Sequence, residues 1–228
     1  MTWSQTSDRM NELPTIAVAI ASMQRGELTP VDLVEYCLAR IEQFDEQVQA
    51  WVLVDVEGAR QEAERLTELA NRSEFVGPLH GIPIGIKDII DVEGMPTKAG
   101  SRLRDDIASA AADASLVAAL RSSGAIILGK TVTTEWACFD PAPTRNPWSF
   151  GHTPGGSSSG SAAAVTMEMC MAALGTQTGG SIIRPAAYCG VCGLKPTYLP
   201  ESMGGILPVS FHLDHVGPLT RNAGDLLA

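Results

Sequence analysis

Two segments decide the fold: Gly155-Gly156-Ser157-Ser158-Ser159-Gly160-Ser161 and, 24 residues beyond Ser157, Gly175-Thr176-Gln177-Thr178-Gly179-Gly180-Ser181. In each, a serine directly follows two glycines, where the backbone can take left-handed conformations and approach a ligand closely. Working outward, residues 159–168 read as a helix through Ala162, Ala163, Ala164 and Val165, and residues 170–174 as a buried strand that delivers Ser181. Pro185 is placed to open a further helix whose N-terminus faces the serine loop. Upstream, residues 125–128 are a buried strand and 113–122 a short helix. Residues 78–91 form an apolar, β-branched run broken by Gly and Pro, with Lys87 inside it. Strands alternating with helices imply an α/β fold, a mixed sheet covered by helices on both faces.

The N-terminal part, residues 1–72, reads as mainly helical with one strand inside it. Ile16, Ala17, Ile20, Ala21 and Met23 recur at helical spacing up to Gly26. Thr29-Pro30 is an N-cap followed by proline at the first helical position, opening a helix with Leu33, Val34, Cys37, Leu38 and Ile41 inward. Residues 50–54 are a strand and 57–71 a charged amphipathic helix. Two tandem helices suit a cap over the sheet or the surface of a homodimer. At the other end, Gly224-Asp225-Leu226-Leu227-Ala228 reads as the start of an amphipathic helix, as if the chain were the N-terminal portion of a longer one.

Composition narrows the function classes. The 228 residues carry a formal net charge of −10, and no cluster of Lys and Arg stands out, which argues against direct nucleic-acid binding. No apolar run approaches the ~18 residues that a membrane span needs. The first residues lack the charged start and apolar core of a signal peptide, so the chain reads as cytoplasmic. Five scattered cysteines, Cys37, Cys138, Cys170, Cys189 and Cys192, read as reduced thiols. Cys189-Gly190-Val191-Cys192 matches C-x-x-C but has no second pair and no neighbouring histidine, so no metal site is expected.

A serine hydroxyl is a weak nucleophile until a base accepts its proton. His80, His152, His212 and His215 lie in no recognisable Ser-His-Asp setting, and no G-x-S-x-G elbow occurs. Lys87 is the other candidate, because Ile84, Ile86, Ile89 and Ile90 can strip water from its ammonium and favour the neutral amine. Taken alone, the stretch fits better a lysine salt-bridged to Asp88 or Asp91, or one reaching out from a strand edge.

The combination of Gly85-Ile86-Lys87-Asp88 with the two glycine-serine segments resembles the amidase signature family, including the 70 residues between Lys87 and Ser157. Gly77-Pro78-Leu79-His80-Gly81-Ile82-Pro83, Gly129-Lys130-Thr131, Arg145-Asn146-Pro147-Trp148, Pro185-Ala186-Ala187 and Gly193-Leu194-Lys195-Pro196-Thr197 extend the resemblance from about residue 15 to the end. It implies hydrolysis of a carbon–nitrogen amide bond in a small-molecule substrate through an acyl-serine, without metal or organic cofactor. Ser181 would be the nucleophile, Ser157 the bridging serine after a cis peptide, and Lys87 the base. Backbone N–H groups of Thr178, Gly179, Gly180 and Ser181 would form the oxyanion hole, with Ser158 in support. Such chains are considerably longer, which implies a truncated sheet with an open site and weak turnover for these 228 residues alone. Where many members resemble Gly-Thr-Asp-Thr-Gly-Gly-Ser-Ile-Arg, this chain has Gln177 for the acid and Ile183 for the arginine, with Arg184 one place later. That change bears on substrate class more than on chemistry.

Three rival readings remain open from sequence. Gly124-Ala125-Ile126-Ile127-Leu128-Gly129-Lys130-Thr131 fits the P-loop pattern, although Ala125 to Leu128 are strand-like and Val132-Thr133-Thr134 begins a helix poorly. The A subunit of a glutamine-dependent tRNA amidotransferase shares the family motifs and hands ammonia to a partner. The third is a non-catalytic fragment of an amidase.

Overall fold

The computed structural model describes residues 12–199 and 203–228. Six strands form one mixed sheet in the order β1-β3-β2-β4-β6-β5: β1 is Trp51–Val54, β2 Pro83–Lys87, β3 Ile126–Thr131, β4 Ala172–Gln177, β5 Cys192–Gly193 and β6 His215–Thr220. The central β3, β2 and β4 run parallel, while β1, β6 and β5 join antiparallel. The α/β class expected from the sequence is therefore the observed one. Every residue of β2, β3 and β4 is buried, which explains why these strands read as continuous apolar runs rather than alternating ones.

Helices α1 (Ile16–Gln24), α2 (Pro30–Val48), α3 (Val56–Asn71), α4 (Ser115–Ser122), α5 (Ser159–Thr166) and α6 (Ile183–Cys189) connect the strands. The Thr29 hydroxyl accepts from Asp32 N–H and the Asp32 carboxylate accepts from Thr29 N–H, a capping box that starts α2 at the cap expected from the sequence. Leu33, Val34, Cys37 and Leu38 are buried on its inner face. In α1 the buried residues are Ile16, Ala19 and Met23, whereas Ala17, expected inward, is exposed.

Helix α5 is buried along seven of its eight residues, and its sequence of Ser, Gly and Ala suits that position. A β-carbon on Gly160 would lie 2.2 Å from Ala50 O and 2.4 Å from Val132 N, so only glycine lets this helix reach the sheet edge. Its hydroxyls are satisfied internally: Ser159 Oγ donates to Gly155 O and Ser161 Oγ to Leu174 O.

Candidate active site

Strand β2 ends on Lys87, whose side chain is completely buried. Its Nζ donates to Ser157 Oγ at 2.7 Å and to Thr176 Oγ1 at 2.7 Å. Neither Asp88 nor Asp91 pairs with it. Asp88 instead bonds the buried Lys130 at 2.9 Å, and Asp91 accepts from the Thr97 hydroxyl. Burial pulls the Lys87 ammonium down to about 7, with the Asp214 carboxylate working in the opposite direction. Near neutral pH a large share of these amines is uncharged.

Ser157 is placed by the chain entering α5. The Gly156–Ser157 peptide is cis, and Thr134 N–H donates to Ser157 O at 3.1 Å. Ser158 follows: its hydroxyl donates to Thr176 O and accepts from Thr176 N–H, both at 3.3 Å, which fixes the residue whose side chain meets Lys87. Ser158 N–H also donates to Ser181 O at 3.1 Å, so the two glycine-serine segments, separated by a whole helix and strand, meet here.

Ser181 is half-buried just beyond β4. Its hydroxyl forms no hydrogen bond among the described residues, so the structure brings Lys87 and Ser157 into contact but leaves the Ser157–Ser181 hydroxyl link unmade. The N–H groups of Thr178, Gly179, Gly180 and Ser181 likewise donate to no acceptor among the described residues. At Gly179 a β-carbon would meet nothing within 4 Å, which marks an open face over this loop. Four neighbouring free donors can receive a developing negative charge.

The altered pair is also accounted for. Gln177 Oε1 accepts from Ile182 N–H at 2.9 Å and Ile183 N–H at 3.0 Å, capping the first turn of α6 with a neutral amide oxygen. The Arg184 side chain is exposed and lies against Gly180, and no hydrogen bond joins it to Gln177 among the described residues. The loop is thus held without an acid–arginine pair.

Sequence reasoning misses two groups. Thr176 reads there only as part of the glycine-rich segment, yet it supplies one of the two hydroxyls on Lys87. Asp214, 5% exposed in the turn before β6, accepts from the Thr178 hydroxyl. The P-loop reading fails on geometry, because Lys130 lies inside β3 with its Nζ on Asp88 rather than opening a helix. Cys189 is buried with its Sγ 3.5 Å from Pro154 O.

The Amidase family model matches residues 32–228. The chain belongs to the amidase signature family. The A subunit of the glutamyl-tRNA(Gln) amidotransferase of Roseiflexus sp. (strain RS-1) is 41% identical over 217 residues, covering 92% of this chain and 44% of that protein. A crystal structure of an amidase superposes with a TM-score of 0.87 at 40% identity, over 93% of this chain and 50% of that one. The native peptide amidase from Stenotrophomonas maltophilia gives a TM-score of 0.84 at 36% identity, over 93% of this chain and 46% of that one. The chain therefore spans about half the length of the relatives it matches. Among the described residues, no helix is long and apolar enough to cross a membrane.

Proposed function

We propose that this chain carries the acyl-transfer centre of an amide hydrolase that cleaves a carbon–nitrogen bond through an acyl-serine on Ser181. The observation that carries the reading is Lys87: a fully buried amine that meets two hydroxyls and, among the described residues, no carboxylate. An uncharged amine has one lone pair, so it can accept from one hydroxyl while donating to the other. Ser181 Oγ attacks the carbonyl carbon, its proton passes to Ser157 Oγ, and Ser157 gives its own proton to Lys87 Nζ. The carbonyl oxygen becomes an oxyanion facing the free N–H groups of Thr178, Gly179, Gly180 and Ser181. When the carbon–nitrogen bond breaks, the proton returns from Lys87 through Ser157 to the leaving amine. Water then attacks the acyl-serine by the same relay and releases the carboxylic acid. The one link still to form is Ser181 to Ser157, and such contacts often tighten only with substrate bound.

The test is a serine-directed fluorophosphonate. Its phosphorus takes the place of the carbonyl carbon, so labelling needs the nucleophile, base and oxyanion loop, all present in these residues, and not the rest of the substrate pocket. The expected result is one label on Ser181, even where amide turnover by these 228 residues alone is weak. Label that persists in Ser181→Ala, or unmodified protein after long exposure at pH 8, would remove the assignment.

A second reading is supported by the 41% identity to the A subunit of an amidotransferase. There the amide would be that of glutamine, and the ammonia would pass to a partner protein. Ammonia release from glutamine that rises only when the partner is added would select it; equal release from simple amides without a partner would select the free amidase.

A further inference from the structure

We propose that Asp214 is a positioning residue of this site, tying the loop that carries Ser181 to the turn before β6 and contributing a carboxylate to the surroundings of the relay. The proposal rests on the acyl-serine reading above, and concerns a residue outside both glycine-serine segments.

The geometry comes from the β4–β6 ladder. Gln177 pairs with His215, so the next step beyond the strand ends sets Thr178 opposite Asp214. There the Thr178 hydroxyl donates to Asp214 Oδ1, while Oδ2 accepts from Val209 N–H at 2.7 Å and Ser210 N–H at 2.9 Å. A carboxylate buried to 5% exposure, with three donors on it and no ion pair among the described residues, is fixed in place. Thr178 begins the run of free N–H donors, so its side-chain anchor sets where those donors point.

The Asp214 carboxylate opposes the effect of burial on Lys87. The other titratable groups on elements packed against β2 do not take this part. Lys130 on β3 and Asp88 are bonded to each other. The buried thiols of Cys37 on α2 and Cys170 ahead of β4 are pushed up by burial and stay neutral. The chain entering α5 and strand β4 present hydroxyls to it, from Ser157 and Thr176. When Lys87 takes the proton of the relay, Asp214 is thus the charge that stabilises the ammonium formed.

Charge and anchoring can be separated by the pH profile of fluorophosphonate labelling. Asp214→Asn removes the charge: the acid limb moves to lower pH by roughly half a unit or more, and the plateau falls because a weaker base remains. Thr178→Val removes only the anchor: the plateau falls several-fold and the limb stays. Asp214→Glu keeps the charge and also leaves the limb in place, so together with Thr178→Val it tests the proposal if Asp214→Asn folds poorly. A limb that stays put in Asp214→Asn, an unaltered plateau in Thr178→Val, or a limb that moves in Asp214→Glu overturns the proposal. Failure of the underlying reading looks different: Lys87→Ala would then label as fast as the unmodified chain.

Discussion

Lys87 and Lys130 stand on neighbouring parallel strands, both at 0% exposure, and differ in what their amines meet. Lys130 has a carboxylate at 2.9 Å, the Thr97 hydroxyl at 3.0 Å and Pro96 O at 3.4 Å. Asp88 in turn accepts from Lys98 N–H. Burial drives Lys130 and Asp88 towards their neutral forms, and their mutual attraction works against it. Lys87 has two hydroxyls, which bond either form of an amine but do not neutralise its charge. The contrast shows that burial alone does not make a base: what matters is burial without a bonded counter-ion, because that lets the proton leave at moderate pH.

The largest way to break the comparison is Lys87→Ala. If this amine is the base, the labelling rate per folded molecule at pH 8 falls by a factor of about 10² to 10⁴. In the unmodified chain the rate should rise about tenfold per pH unit below about 7 and level off above it, since only neutral Lys87 can accept the proton. Lys87→Ala should abolish that limb. A limb that persists in the variant would transfer the role to another group.

Next in size is Lys130→Met, which should leave labelling per folded molecule unchanged but strand a carboxylate in the interior. Removing one partner of a buried pair costs about 3–5 kcal/mol, read as a lower urea midpoint. Lys130→Met with Asp88→Asn should recover at least half of that loss, since the amide oxygen can still accept from Lys98 N–H. A single variant as stable as the parent would mean that the pair holds nothing together.

The same contrast explains what is legible in the sequence. The α2 start is legible because Thr29, Pro30 and Asp32 cap it locally. The cores of β2, β3 and β4 are legible as apolar runs. Their ends are not: β3 continues through Gly129, Lys130 and Thr131, and β4 through Gly175, Thr176 and Gln177, because polar side chains there are buried by partners from distant segments. Strand β6 carries Gly217 and Pro218, which read as turn chemistry. Glycine is required there, since a β-carbon would lie 2.0 Å from Leu194 O. Asp214 gives no local signal of its link to the site, for Thr178, which joins it to the serine loop, is 36 residues away. Lys87, Ser157 and Ser181 can be named because spacing and motif are sequence properties, whereas the hydrogen bonds of Thr176 and Asp214 are properties of the assembled sheet.

The finest distinction lies between the two hydroxyls on Lys87, which stand at equal distances of 2.7 Å. In the proposed relay Ser157 carries the proton, whereas Thr176 is held by Ser158 at both its N–H and its carbonyl and would act as a fixed support. Thr176→Val keeps the volume and removes one hydrogen bond, worth about 1 kcal/mol, so labelling should slow roughly five-fold and Thr176→Ser should restore it. Ser157→Ala, by contrast, breaks the path of the proton and should cost as much as Lys87→Ala. If Thr176→Val instead matched Lys87→Ala while Ser157→Ala had a small effect, the proton would travel through the strand hydroxyl, and the comparison of the lysines would stand with a different bridge.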